Sequence, residues 1–329
     1  MKNFNKLICF SLSTILFAGC GQSTIDVTNT KALIRQKDNS FYNIYNWQKK
    51  ANLLSQMEDF ALVSFNNKLY TFGGDKINIW LADNSAYDIL TDKWEQKTPM
   101  STNRSGLSAG VINSKIYVTG GFDGVKKTWL GTLEVYDPIN DKWEIKSSMT
   151  NPRSGLGIGV INNKLYAVGG DVASKNWTDK LEVYNPDNDT WQSLPSMTIP
   201  RARISTAVNN NQLYVFGGEN QDGVLKDVEE YIPKLNIWRK RADMPTARSH
   251  AAIAVYKSNI MLIGGRDADN KALDTIDIYN IDTNTWSSGK NTSMTREGSK
   301  AIVEGNTLYI AGGLNNLSLF DNFENTTLQ

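Results

Sequence analysis

Six in-phase repeats predict an all-β fold, a six-bladed β-propeller with four antiparallel strands in each blade. Gly-Gly pairs stand at Gly73-Gly74, Gly120-Gly121, Gly169-Gly170, Gly217-Gly218, Gly264-Gly265 and Gly312-Gly313, with spacings of 47, 49, 48, 47 and 48 residues. In step with them run Trp47, Trp94, Trp143, Trp191, Trp238 and Trp286. A tyrosine series, Tyr87, Tyr136, Tyr184, Tyr231 and Tyr279, takes Phe320 in its sixth place. Three residues before each pair stand Tyr70, Tyr117, Tyr166, Tyr214 and Tyr309, with Met261 in the fifth repeat.

The third repeat shows the four strands most fully: Leu156–Ile161, Lys164–Gly170, Lys180–Asn185 and Thr190–Ser193. Its first turn is Asn162-Asn163, and Asn66-Asn67, Asn113-Ser114 and Gly305-Asn306 take the same place elsewhere. Two-residue turns rich in Asn suit type I′ hairpins, because Asn tolerates positive φ. The first two strands are apolar almost throughout, as expected where neighbouring sheets cover both faces. Blades set around an axis crowd at the centre and splay at the rim. Glycine pairs then let backbones approach closely, while an outer-strand Trp fills the widening wedge.

The order of Gly-Gly, a following Tyr and then Trp resembles the Kelch repeat, from about residue 44 to the end. WD-type propellers have a shorter period and a Trp-Asp signature that is missing here. Trp47 precedes the first glycine pair and no Trp follows the last. The sixth blade is therefore expected to comprise Lys300–Glu304, Thr307–Gly313 and Leu317–Phe323, with its outer strand supplied by Tyr45–Gln48. That closure joins both ends of the ring in one blade.

Residues 1–19 read as a leader. Lys2 and Lys6 form a basic start, and Leu7 to Phe17 is an apolar run too short to span a bilayer. Leu16-Phe17-Ala18-Gly19-Cys20 resembles the lipobox of bacterial lipoproteins, which implies lipidation at Cys20 and a membrane anchor there. Gly21 follows where an Asp would signal inner-membrane retention, so the resemblance implies the outer membrane of a cell envelope. Residues 20–43 then serve as lipidated start and polar tether, and 44–329 as the propeller.

Composition narrows the function classes. The 329 residues include 35 Lys and Arg against 34 Asp and Glu, and removal of the leader leaves 33 basic groups. A net charge near zero leaves no basic footprint for nucleic acid. Of the two cysteines, Cys9 lies in the leader and Cys20 carries lipid, so no thiol, disulfide or thiolate metal site is expected in the propeller. No cofactor and no metal are expected, and a monomer is.

Departures from sixfold symmetry locate candidate sites. The loop entering the first strand and the loop after the second share one face, where Kelch domains bind ligands near the channel. Fourteen residues before each glycine pair stand Asp59, Gly106, Gly155, Arg203, His250 and Gly298. Asp59, Arg203 and His250 are thus candidate ligand contacts; an Arg-His pair would suit a carboxylate, unless each pairs with a loop carboxylate instead. Two residues earlier, Arg104, Arg153, Arg201, Arg248 and Arg296 recur in five blades, and that periodicity indicates a structural tie. Trp80, Trp129 and Trp177 occupy the loop after the second strand in blades 1–3 only. They are candidate platforms for sugar rings, or packing between blades.

Some Kelch propellers are enzymes. A galactose-oxidase-like copper centre is excluded by one histidine and no mature cysteine. Asp267 and Asp269 resemble the start of a calcium loop, but Lys271 stands at the next ligand position. Periplasmic sialate mutarotases are also six-bladed Kelch proteins, with a catalytic Glu after a repeat's Gly and an Arg six residues on. Glu219 matches that Glu, while Leu225 holds the Arg place and Lys226 lies one residue beyond. The sequence therefore favours an envelope-anchored module that binds a carbohydrate or protein ligand. A mutarotase with Glu219 as proton-transfer group and a protein scaffold are the alternatives.

Overall fold

The computed structural model describes residues 45–315 and 318–328. The leader, Cys20 and the tether lie outside the described residues. The described part is a six-bladed β-propeller built from six four-stranded antiparallel sheets. Blade 1 comprises Ala61–Phe65, Lys68–Phe72, Asn84–Asp88 and Lys93–Lys97, counted from the centre outward. The innermost strands of blades 2–6 are Ser108–Ile112, Gly157–Ile161, Ser205–Asn209, Ala252–Tyr256 and Lys300–Glu304. Each inner strand contacts those of both neighbouring blades, so the ring is closed.

Blade 6 is closed by Tyr45–Lys49, which pairs antiparallel with Phe323–Thr327. The third strand of that blade is Phe323–Thr327 rather than Leu317–Phe323. Thr326 faces Leu308 as Tyr87 faces Leu69, so Thr326 and not Phe320 holds the sixth tyrosine place. Phe320 instead donates its N–H to Gly313, as Leu81 does to Gly74 and Leu130 to Gly121. Spacing identifies the strand correctly here and aromatic character does not: Thr326 follows Gly313 by thirteen residues, as Tyr87 follows Gly74.

Each expected residue type has a visible cause. Gly73 and Gly74 have φ of +60° and +94°, and a Cβ there would lie 2.6 Å from the Arg104 and Glu58 carbonyl oxygens respectively. Both the backbone conformation and the space require glycine. The outer-strand Trp residues staple adjacent blades: the Trp94 indole donates to the Ala51 carbonyl at 2.9 Å, and Trp191 to Ser147 at 2.7 Å. Trp47 does the same to Asn291 at 3.3 Å, across the closure. Turn residues Asn66 and Asn67, and Asn162 and Asn163, all have positive φ, as type I′ turns demand.

The recurring arginines are fully buried and paired within their blades. Arg153 meets Glu182 at 2.8 Å and Arg201 meets Glu229 at 2.7 Å. Arg104 pairs with Glu134, Arg248 with Asp277 and Arg296 with Glu324. Blade 1 replaces both partners together, with buried Met57 and Ser85 in the two places.

Candidate functional site

A ring of backbone hydrogen bonds frames the mouth of the channel. Asp59, Gly106, Gly155, Arg203, His250 and Gly298 each donate an N–H to the preceding member's carbonyl, at 2.8–3.1 Å. All six have φ between 50° and 64°. Glycine meets this left-handed requirement at little strain, whereas an Arg or His there costs on the order of 1 kcal/mol. The glycines of blades 2, 3 and 6 therefore answer a backbone demand, and Arg203 and His250 are tolerated against it.

The long loop after each second strand is a short hairpin of its own. It runs Phe122–Asp123 with Thr128–Trp129, Asp171–Ala173 with Asn176–Trp177, and Glu219–Asn220 with Gly223–Val224. Through it the residue just after each glycine pair reaches the mouth: Asp75, Phe122, Asp171, Glu219, Arg266 and Leu314. Below lies a cavity of about 1230 Å³, lined by Asp59, Trp129, Trp177, Arg203, Glu219 and His250, among others.

Ion pairs zigzag across blades 4, 5 and 6. Arg203 Nη1 lies 3.1 Å from Glu219 Oε1, Arg266 Nη2 lies 3.2 Å from Glu219 Oε2, and Arg266 Nε lies 3.3 Å from Glu297. Burial alone would raise the Glu219 carboxyl, but Arg203, His250 and Arg266 together hold it below the usual carboxylate range. Glu219 is thus charged at neutral pH and a poor proton donor. His250 reaches over blade 6 to within 3.9 Å of Asp59. Burial, with Arg203 and Arg266 adding to it, drives its imidazole down to about 4 against the pull of Asp59 and Glu219. At neutral pH it offers a ligand no positive charge. Each member of the Arg203–His250 pair already faces a loop carboxylate, so a doubly cationic carboxylate clamp is not formed.

An acidic sector completes the rim. Burial, then the charges of Asp59, Asp75 and Glu297, push Glu58 up to about 9, and burial raises Asp75 to about 6. Among the described residues no group of three His, Cys, Asp or Glu side chains could hold a metal ion. The sequence reading missed Glu58, Asp75, Asp171, Arg266 and Glu297. The register comparison that found Arg203, applied to the residue after each glycine pair, would have exposed three of them.

The loop tryptophans divide in role. Trp80 stacks edge-on to Phe122 of the next blade, and its ring occupies the space a Cβ on Gly124 would need. It does not line the cavity. Trp129 packs on Phe122 at 5.0 Å and donates its indole N–H to Asp171 of blade 3 at 2.6 Å. Both therefore join blades. Trp177 lines the cavity, and its buried indole nitrogen has no hydrogen-bond partner among the described residues.

The histidine gives a pH prediction. Between pH about 6.5 and 4 the unfolded chain binds a proton at His250 that the folded chain refuses, so stability falls as pH drops through that window. Glu58 and Asp75, being raised, act in the opposite direction. His250→Gln is expected to shrink the loss of melting temperature between neutral pH and the acid end of this window. Equal losses in the two proteins would count against a role for His250.

A profile of the KLHDC2/KLHL20/DRC7 Kelch-repeats domain matches residues 6–203 and 155–325. The chain belongs to this Kelch-repeat family. Curated Kelch proteins match shorter stretches. Human Kelch repeat and BTB domain-containing protein 12 is 35% identical over 85 residues, covering 23% of this chain and 14% of that protein. Kelch repeat protein M-T9 of Myxoma virus (strain Lausanne) is 34% identical over 80 residues, or 23% and 16% of the two chains. Kelch-like ECH-associated protein 1A of Danio rerio is 32% identical over 81 residues, or 23% and 13%. The matches thus span only 13 to 16% of these Kelch relatives' lengths.

Proposed function

We propose that this Kelch propeller is a non-catalytic binding module whose channel-mouth face takes a protein ligand. The observation that carries this reading is the composition of that face. A mixed-charge rim, Arg203, Glu219, Arg266 and Glu297 with Asp59, lies beside exposed apolar side chains in the loops of blades 1 and 2. Ile77, Ile79 and Val125 are 60%, 61% and 75% exposed. Protein interfaces combine apolar anchors with a charged rim in this way. A glycan reading needs free aromatic platforms, and Trp80 and Trp129 are committed to joining blades. A sugar mutarotase needs a carboxyl that exchanges protons, and two guanidinium groups hold Glu219 ionised. The name of the ECH-associated relative agrees with a partner-binding role.

The same proposal places the propeller at a bacterial envelope membrane, with Cys20 lipidated; the basic start, short apolar run and lipobox-like residues support it.

The test uses substitutions that the fold itself invites. Arg203→Gly installs the residue that blades 2, 3 and 6 use at this φ, and it is expected to melt at the wild-type temperature or above. Ile79→Asp changes an exposed side chain and is expected to leave melting unchanged. Each is expected to weaken cross-linking to an envelope protein by about tenfold or more, the effect of losing one interface anchor. Binding to a glycan array without a protein cross-link would overturn the reading. So would accelerated anomer exchange of N-acetylneuraminate, followed by NMR, that Glu219→Gln abolishes.

A further inference from the structure

Six inner strands wall the channel, and only two of their side chains, Lys300 and Glu304, are charged. Glu304 accepts a hydrogen bond from Ser64. Lys300 opens the inner strand of blade 6, in the register place held elsewhere by Ala61, Ser108, Gly157, Ser205 and Ala252. It lines the cavity together with Leu62, Ile158, Ile253 and Val303. Asp59 acts on it through charge, yet among the described residues no carboxylate lies within ion-pair distance of it. A partly buried amine without a close counter-ion is unfavourable for folding, and five blades show that a small residue serves the wall. Such a local contradiction points to chemistry.

We propose that Lys300 is a nucleophilic amine that captures a carbonyl compound, an aldehyde or ketone, in the channel by reversible imine formation. This goes beyond the mouth-face reading and does not depend on which protein docks there. Burial in an apolar wall disfavours the ammonium form, and the charge of Asp59 only partly offsets it, so Lys300 sits below the ordinary lysine range. The free amine is the form that attacks.

Asp59 and His250, which line the same cavity, can take up the amine proton. The Nζ lone pair forms a bond to the carbonyl carbon as the C=O π pair moves to oxygen. That oxygen takes a proton from solvent in the open channel. The Nζ loses a proton to Asp59 or His250, giving a neutral carbinolamine. A second protonation at the hydroxyl expels water and, with loss of the remaining Nζ proton, leaves the neutral imine. Carbonyl compound and amine become imine and one water, without an oxidant or reductant.

The test compares lysines within one protein. The chain is equilibrated with acetaldehyde near pH 7, imines are trapped with borohydride, and N-ethylation is located by peptide mass spectrometry. Lys300 is expected to be labelled several-fold more than exposed lysines such as Lys126 and Lys180, since a lowered pKa leaves more of the amine free to attack. Uniform labelling, or Lys300 labelled less than the exposed lysines, overturns the proposal, and the comparison needs no variant to fold.

Discussion

Replacing Arg153 by Met with Glu182 left in place is expected to cost about 3–5 kcal/mol, or a fall of roughly 6–20 °C in melting temperature. The guanidinium now meets Glu182 at 2.8 Å and the Lys180 and Ala167 carbonyls at 3.0 and 3.2 Å. Without it the buried Glu182 carboxylate keeps, among the described residues, the Thr150 N–H at 3.1 Å. An unpaired charge in that setting is the expensive outcome. The double variant Arg153→Met, Glu182→Ser copies what blade 1 does naturally with Met57 and Ser85. It is expected to recover most of the loss, within about 1–2 kcal/mol of wild type, because a buried pair and a packed neutral replacement are often close in free energy. Chemical denaturation of the four proteins gives the coupling energy directly. Additive losses would show that the pair is not the reason both residues recur, and a single-variant loss below about 1 kcal/mol would sink the argument altogether.

This pair also marks the limit of what the amino-acid sequence discloses. The arginine column is periodic, so its structural role was legible, but its partner lies 28 to 30 residues away on the third strand, and only the strand register brings them together. The glycine pairs, outer tryptophans and Asn turns were legible because each answers a local geometric demand: positive φ, backbone crowding or a wedge at the rim. The mouth was half legible. Asp59, Arg203 and His250 broke a column of glycines, and Glu219 stood beside a glycine pair. That Glu219 is shared by Arg203 and Arg266, and that His250 stretches to Asp59, depends on which blades face one another across the ring. Trp80 and Trp129 carried the least information, since an indole filling a gap between blades and one offered to a sugar look identical in sequence. Phe320 misled for a related reason, because an aromatic side chain near the expected place outweighed the spacing that pointed to Thr326.

Deleting Tyr45–Lys49 is expected to lower the melting temperature by at least about 6–12 °C, corresponding to roughly 3 kcal/mol or more of lost burial and pairing. This strand is the fourth and outermost strand of blade 6. Gln48 faces Asn325 and Lys49 faces Glu324, and Lys50 continues the pairing through its N–H to Phe323 at 2.8 Å. Trp47 packs against the buried cluster that includes Leu308, Ile310 and Leu328. Without the strand, Phe323–Thr327 becomes an open edge able to pair with another chain, so the variant is also expected to form oligomers on size exclusion. Two further variants separate the contributions. Trp47→Ala keeps the ladder and removes the wedge, so most of the loss appears there if packing closes the ring. Gln48→Cys with Asn325→Cys ties the two directly opposed residues and should raise the melting temperature, because the bond forbids the first step of opening at the point where both ends of the ring meet. A deletion that melts as wild type does would mean that the five other blades hold the ring shut unaided, and that the register shared by Trp47 and the five internal tryptophans has no energetic meaning at the seam.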